Sequence, residues 1–210
     1  MAADDWSDFE FERKFLLADG VPALTDADPF PDVVVQSYLL SQDGYAVRVR
    51  IHGPAPAGIR GLGSAAEVID AIGENITLAT MTAKGPAAGG TRYEAERELD
   101  PLVASRMVGF GHHLVTKVRH SLWLDADGWI IDEFLLENAP LVIAEVERGG
   151  PVTDLIIPDF CTTEVSEDDR FRNENLALTP YRGWHESHRR ELAITGPRFL
   201  HGLGQNRLPG

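Results

Sequence analysis

Apolar and charged residues alternate along much of this chain. In FEFERKFLL, residues 9–17, Phe9, Phe11, Arg13 and Phe15 fall on one side of an extended strand and Glu10, Glu12, Lys14 and Leu16 on the other. Successive side chains leave a strand on opposite faces, so this is a strand pattern. The same reading predicts strands over 8–16, 33–40, 45–52, 76–84, 91–99, 113–124, 128–136 and 141–148. SQDG before Tyr45 and DADG before Trp129 carry hairpin-loop chemistry. Helical signals are fewer. Asp100-Pro101 opens a run that ends in glycine, predicting a helix over 101–109, and residues 167–178 predict another. Residues 53–75 read as an insertion between strands, a Pro/Gly loop followed by a short helix near 64–72. The expected domain covers 1–182, and a Gly-, Arg- and His-rich tail, 183–210, is expected outside it.

Composition narrows the class. The 210 residues fit one domain with a substantial core. No apolar run approaches the ~20 residues that span a bilayer, and the acidic start MAADDWSD does not resemble a secretory signal. A single cysteine, Cys161, excludes an internal disulfide framework. The cytoplasm is the expected location. A formal charge of −14 argues against nucleic-acid or anionic-membrane partners over the general surface, and leaves room for a protected basic pocket.

The strand charges supply that pocket. One face collects Glu10, Glu12 and Lys14; Arg48 and Arg50; Lys84; Arg92, Glu94 and Glu96; Lys117 and Arg119; Asp132; and Glu145 and Glu147. Acids cluster as E-x-E and bases as R-x-R or K-x-R, opposite mostly apolar residues. Any one such strand reads as a solvated face. Taken together they predict an α+β, mostly β fold: an eight-stranded antiparallel closed β-barrel with flanking helices and charges inside. Buried unpaired charge costs several kcal/mol per ion, so the interior needs a ligand of both signs. A polyphosphate with Mg2+ or Mn2+ meets that need, because guanidinium and ammonium groups grip phosphate oxygens and carboxylates hold hard divalent cations.

In order, FEFERKF, QSYL, YAVRVRI, TMTAKG, TRYEAE, VTKVRH, IIDEF and IAEVE resemble the motifs of the CYTH superfamily, the triphosphate tunnel metalloenzymes, over roughly residues 8–178. The resemblance implies that Glu10, Glu12, Glu145 and Glu147 hold metal, assisted by Glu94, Glu96 and Asp132. It implies that Arg48, Arg50, Lys84, Arg92, Lys117 and Arg119 bind phosphate, and that Lys14 and Tyr38 flank the attacking water. Ser37 departs from the usual glycine of Q-G-Y-L. The implied activity is hydrolysis of a triphosphate, foremost inorganic tripolyphosphate to pyrophosphate and phosphate. Thiamine triphosphatase, class IV adenylate cyclase and a noncatalytic polyphosphate binder are the alternatives. Family members often form dimers, so a homodimer is a compatible assembly. His112–His113, His185, His188 and Cys161 read as solvated or packed residues rather than as a second site. The helix at 167–178 reads as a candidate plug for one tunnel end.

Overall fold

The computed structural model describes residues 9–17, 28–88, 91–124 and 126–207. Nine strands form one antiparallel sheet: β1 Phe9–Leu17, β2 Asp32–Gln42, β3 Tyr45–Pro54, β4 Leu78–Ala88, β5 Thr91–Glu98, β6 Leu114–Leu124, β7 Asp127–Phe134, β8 Val142–Arg148 and β9 Cys161–Glu164. Their order is β5-β4-β3-β2-β6-β7-β8-β1-β9. The helices are α1 Ala65–Ile72, α2 Pro101–Gly109, α3 Asn173–Leu178 and α4 His185–Thr195.

The eight-stranded closed barrel expected from the sequence is corrected here. The sheet has nine strands and does not close into a barrel. Among the described residues β1 and β5 touch over three pairs only, Phe9–Tyr93, Glu10–Arg92 and Phe11–Thr91. The obstacle is on β1 itself. The edge that full closure would require is taken from Phe15 to Leu17 by β9. Between the two contacts, Lys14 bonds the chain leaving β9: Val165 N donates to Lys14 O at 2.9 Å. The CTTE strand is too short for alternation to announce it.

The sheet's two faces differ as the alternation requires. Beneath the outer face, Phe11, Phe15, Trp129, Ile131, Ala144 and Val146 form one apolar cluster with Val152, Leu155 and Ile157. A second cluster joins Val33, Val35, Val49 and Ile51 to Val68 and Ile72 of α1 and Ala104 and Val108 of α2. The 53–75 insertion therefore packs on the outside of the sheet. Ser64 caps α1 by accepting from Glu67 N, and Glu67 reaches back to Gly63 N. Asp100 caps α2, with Pro101 in its first turn.

A third cluster lies at one end of the inner face. Leu16, Tyr38, Val115, Phe134 and Ile143 meet Phe171, Leu176 and Tyr181 there. The apolar contacts of residues 171–181 are therefore made at that end. The helix expected over 167–178 is interrupted: a 3-10 turn at Asp169–Phe171 precedes α3, with Arg172 extended between them. Asp168 accepts from Arg170 N, a local bond that competes with helix continuation. Beyond α4 the chain returns across the outer face, where Phe199 meets Phe15 and the backbone of Arg207 bonds Leu155 and Ile157. No helix among the described residues is long and apolar enough to cross a membrane.

Candidate active site

The inner face walls a cavity of about 600 Å³. Strand register decides what enters it. Glu12 and Lys14 of β1 lie opposite Glu147 and Glu145 of β8. Arg48 and Arg50 of β3 lie opposite Thr82 and Thr80 of β4, and Thr82 and Lys84 lie opposite Glu96 and Glu94 of β5. A residue two positions along a strand returns to the same face, so E-x-E and R-x-R each deliver two charges to one wall.

Most of the expected site residues come together here. Glu12, Lys14, Tyr38, Arg48, Arg50, Lys84, Arg92, Glu94, Glu96, Arg119, Glu145 and Glu147 all line the cavity. Lys117 and Asp132 do not. They share the inner face with Arg119 and Ile130 by register but are buried, Asp132 fully, with Asp132 accepting from Lys117 Nζ and from Arg119 Nε and Nη2, the latter two at 2.8 Å. The Glu10 side chain lies outside the described residues, although its backbone pairs with Arg92.

Within the cavity the charges are matched. Lys14 Nζ stands 2.6 Å from Glu12 Oε2 and 2.8 Å from Glu145 Oε1. Arg48 and Lys84 reach Glu94 at 3.3 and 2.6 Å, and Arg50 reaches Glu96 at 3.1 Å. Arg92 meets Glu174 of α3 at 2.5 Å and also bonds the carbonyls of Gly44 and Gly85. These partners reshape the titrations. Burial opposes ionisation of Glu145, but Lys14, Lys117 and Arg119 outweigh it and hold the carboxyl well below its usual range. Burial and then the neighbouring Arg48 lower Arg50 to about 10. Burial lowers Lys117 to about 8 against the pull of Asp132. Burial pushes the Tyr38 phenol up, so it stays a neutral hydroxyl near pH 7.

Alternation could not find Arg172, Asn173 and Glu174, which complete the lining from the start of α3. They belong to a segment read as a helix, where no period-two signal exists. Phe171 and Leu176, buried in the third apolar cluster, carry them to the cavity end. The Ser37 departure is accommodated on the outer side of β2. A Cβ on Gly111 would stand 1.6 Å from Ser37 Oγ, so the serine uses space that only glycine leaves open.

The donor set suits a hard divalent cation. No cluster of three or more His, Cys, Asp or Glu is already gathered for a metal among the described residues. Two carboxylates from adjacent strands nevertheless converge on one cation, the Lys14 ammonium. Glu12 and Glu147 also lie directly across from each other, a like-charge pairing that a cation relieves. Two carboxylates with substrate phosphates are the usual ligands of Mg2+.

No family model matches the chain. An inorganic triphosphatase from Acetivibrio thermocellus is 33% identical over 108 residues, covering 50% of this chain and 69% of that protein. The crystal structure of the inorganic triphosphatase NE1496 is 26% identical with a TM-score of 0.52, covering 81% of this chain and 95% of that one. A second structure of NE1496 gives 25% identity and the same TM-score of 0.52, over 81% of this chain and 98% of the other.

Proposed function

This chain belongs to the CYTH superfamily of triphosphate tunnel enzymes, and from that premise we propose that it hydrolyses inorganic tripolyphosphate to pyrophosphate and phosphate. The protein is a triphosphate hydrolase. The observation that carries the finer reading is the composition of the cavity wall: it is charged, with apolar surface only from Ile130, Ala95 and the rings of Tyr38 and Tyr93. A compact polyanion fills such a site better than a nucleoside or a thiamine.

Arg48, Arg50, Lys84, Arg92 and Arg119 bind the phosphate oxygens, and Lys117, buried beside Arg119 on the same face of β6, fixes it through their shared partner Asp132. Glu12, Glu145 and Glu147 would hold the divalent cation, with Glu10 beside Glu12 in the sequence and Glu94 and Glu96 facing from β5. Mg2+ or Mn2+, when bound, supplies charge neutralisation at the phosphate oxygens and orients water. The protein's own part is alignment and electrostatics, the main demands of phosphoryl transfer. Water attacks a terminal phosphorus, the bond to the bridging oxygen breaks, and the bridging oxygen leaves on pyrophosphate. The water sits between Lys14 and Tyr38, and the proton it loses ends on the product phosphates. Tyr38 acts there as a hydroxyl that orients water, since its phenol is held neutral by burial.

Phosphate release from tripolyphosphate, ATP and thiamine triphosphate, each with Mg2+, Mn2+ or a chelator, tests the reading. Tripolyphosphate with metal is expected to give the highest kcat/KM, and chelation to abolish release. Preference for a nucleotide or thiamine ester, or tight binding without release, would overturn it. Lys14→Ala is expected to lower kcat by about 100-fold, the scale of a misplaced reacting group; unchanged turnover removes Lys14 from the mechanism.

A further inference from the structure

Behind Lys14, on the face of β1 turned away from the cavity, lies a second polar network. Its centre is the Glu164 carboxylate, 2% exposed. Oε1 accepts from Arg13 Nε and from Ser166 Oγ, both at 2.8 Å. Oε2 accepts from Arg13 Nη2 at 2.7 Å and from Leu200 N at 2.8 Å. Arg13 Nη1 donates to Asn206 Oδ1 at 2.8 Å, and Asn206 Nδ2 donates back to Leu200 O at 2.8 Å. Every lone-pair direction of Glu164 is therefore used, and a buried ion pair is tolerated only when satisfied in this way.

The network reaches the backbone of Lys14 through Ser166. Ser166 Oγ accepts from Lys14 N at 3.0 Å, while Val165 N donates to Lys14 O at 2.9 Å. On this edge of β1, β5 reaches only to Phe11 and β9 begins at Phe15. The backbone of Lys14 thus sits in the gap where neither strand pairs it, and residues 165–166 replace the missing ladder. An ammonium held 2.6 and 2.8 Å from two carboxylates needs a fixed backbone, because a side chain is placed no better than the Cα that carries it.

We propose that Arg13, Glu164 and Ser166, locked from outside by the Arg198–Arg207 strap through Leu200 and Asn206, form a positioning device for Lys14. The C-terminal strap is then a working part of the active site although none of it lines the cavity. The inference rests on the reading of Lys14 as the residue beside the attacked phosphate, and it adds Ser166 as the positioning residue that connects strap to site.

Ser166→Ala in the intact chain removes the bond from Lys14 N to Ser166 Oγ. The expected result is a fall in kcat of about tenfold with KM for tripolyphosphate within about twofold, since small misplacement of a reacting group costs rate rather than binding. Ser166→Thr, which keeps the hydroxyl, is expected to restore kcat. Hydrogen exchange at the Lys14 amide should quicken by about tenfold in Ser166→Ala and not in Ser166→Thr. Asn206→Ala, at the half-buried rim, is the second variant if Ser166→Ala folds poorly, with the same pattern on a smaller scale. Unchanged kcat with unchanged Lys14 exchange overturns the proposal, as does a loss of activity that merely follows the loss of Tm. A wild-type protein that releases no phosphate from any triphosphate sinks the functional reading instead, and the Lys14 exchange still decides the positioning claim.

Discussion

Replacing Asp132 by asparagine keeps the shape of the side chain and removes a fully buried negative charge from between two cations. Arg119 cannot shed its proton. It exchanges two charge-assisted bonds of 2.8 Å for at most one bond to a neutral amide oxygen, with the Glu145 carboxylate 3.6 Å away, a loss of about 2–3 kcal/mol. Lys117 responds differently, because its proton is already loosened. Burial holds it at about 8, where an ordinary lysine titrates near 10.5. Without Asp132 it goes neutral at pH 7, and that route limits its added penalty to about one pH unit, or about 1 kcal/mol. The total is about 3–4 kcal/mol, a fall in Tm of about 10 °C for a domain of this size.

The pH dependence identifies the mechanism. Between the folded and unfolded titrations of Lys117 the unfolded chain binds more protons, so stability rises with pH in that window. By about pH 9 the lysine is neutral in both proteins, and the deficit of Asp132→Asn should shrink by about 1 kcal/mol relative to pH 7. At about pH 6 it should grow by a similar amount. Urea unfolding of both proteins across this range is the assay. A deficit below about 1 kcal/mol, or one that does not change with pH, refutes the account of Asp132 as the counter-ion of a loosened lysine.

Three further outcomes follow from the packing and the charges. Gly111→Ala should cost about 2 kcal/mol, because its Cβ would meet Ser37 Cβ at 2.7 Å as well as Oγ at 1.6 Å. Ser37→Gly should recover most of that loss in the double variant, and additive losses in a double-mutant cycle would show that the two residues do not share the space. Glu174 is held below the usual carboxylate range by Arg92 despite burial, so its stabilisation is present above its unfolded titration and lost as pH falls through the folded one. Glu174→Gln should flatten the acid limb of the stability curve between about pH 5 and pH 3, and an unaltered limb counts against the pairing.

Alternation exposed the site because its residues sit two apart on strands. Arg48 with Arg50, Glu94 with Glu96, and Glu145 with Glu147 reach the cavity by that geometry alone. The same pattern put Phe11 and Phe15 on the outer face, where they are buried. It failed where the period was absent or ambiguous. Arg13 shares a face with those phenylalanines and interrupts an apolar stripe with a charge. It is 1% exposed, because Glu164 and Asn206, over 150 residues away in sequence, cover it. Glu174 depends on where α3 docks, which local sequence does not encode. The open seam between β1 and β5 depends on a four-residue strand that competes for the same edge.

The pairing within the cavity bears on what the ligand must be. Arg48, Arg50, Lys84, Arg92 and Lys14 each have a carboxylate partner within 3.3 Å. A bare polyanion would draw the cations away and leave buried carboxylates uncompensated, at a cost of several kcal/mol. A bare divalent cation would do the reverse to Lys14 and its neighbours. A triphosphate arriving with its cation exchanges both sets of partners at once, so no charge is stranded. Phosphate and metal should accordingly bind with positive coupling of about 1–3 kcal/mol, each raising the other's affinity by the same factor. Calorimetric titration of the unsubstituted chain with an imido-bridged, non-hydrolysable tripolyphosphate analogue and Mg2+, separately and together, measures that factor. A coupling near zero would mean that the internal ion pairs are not what the ligand displaces.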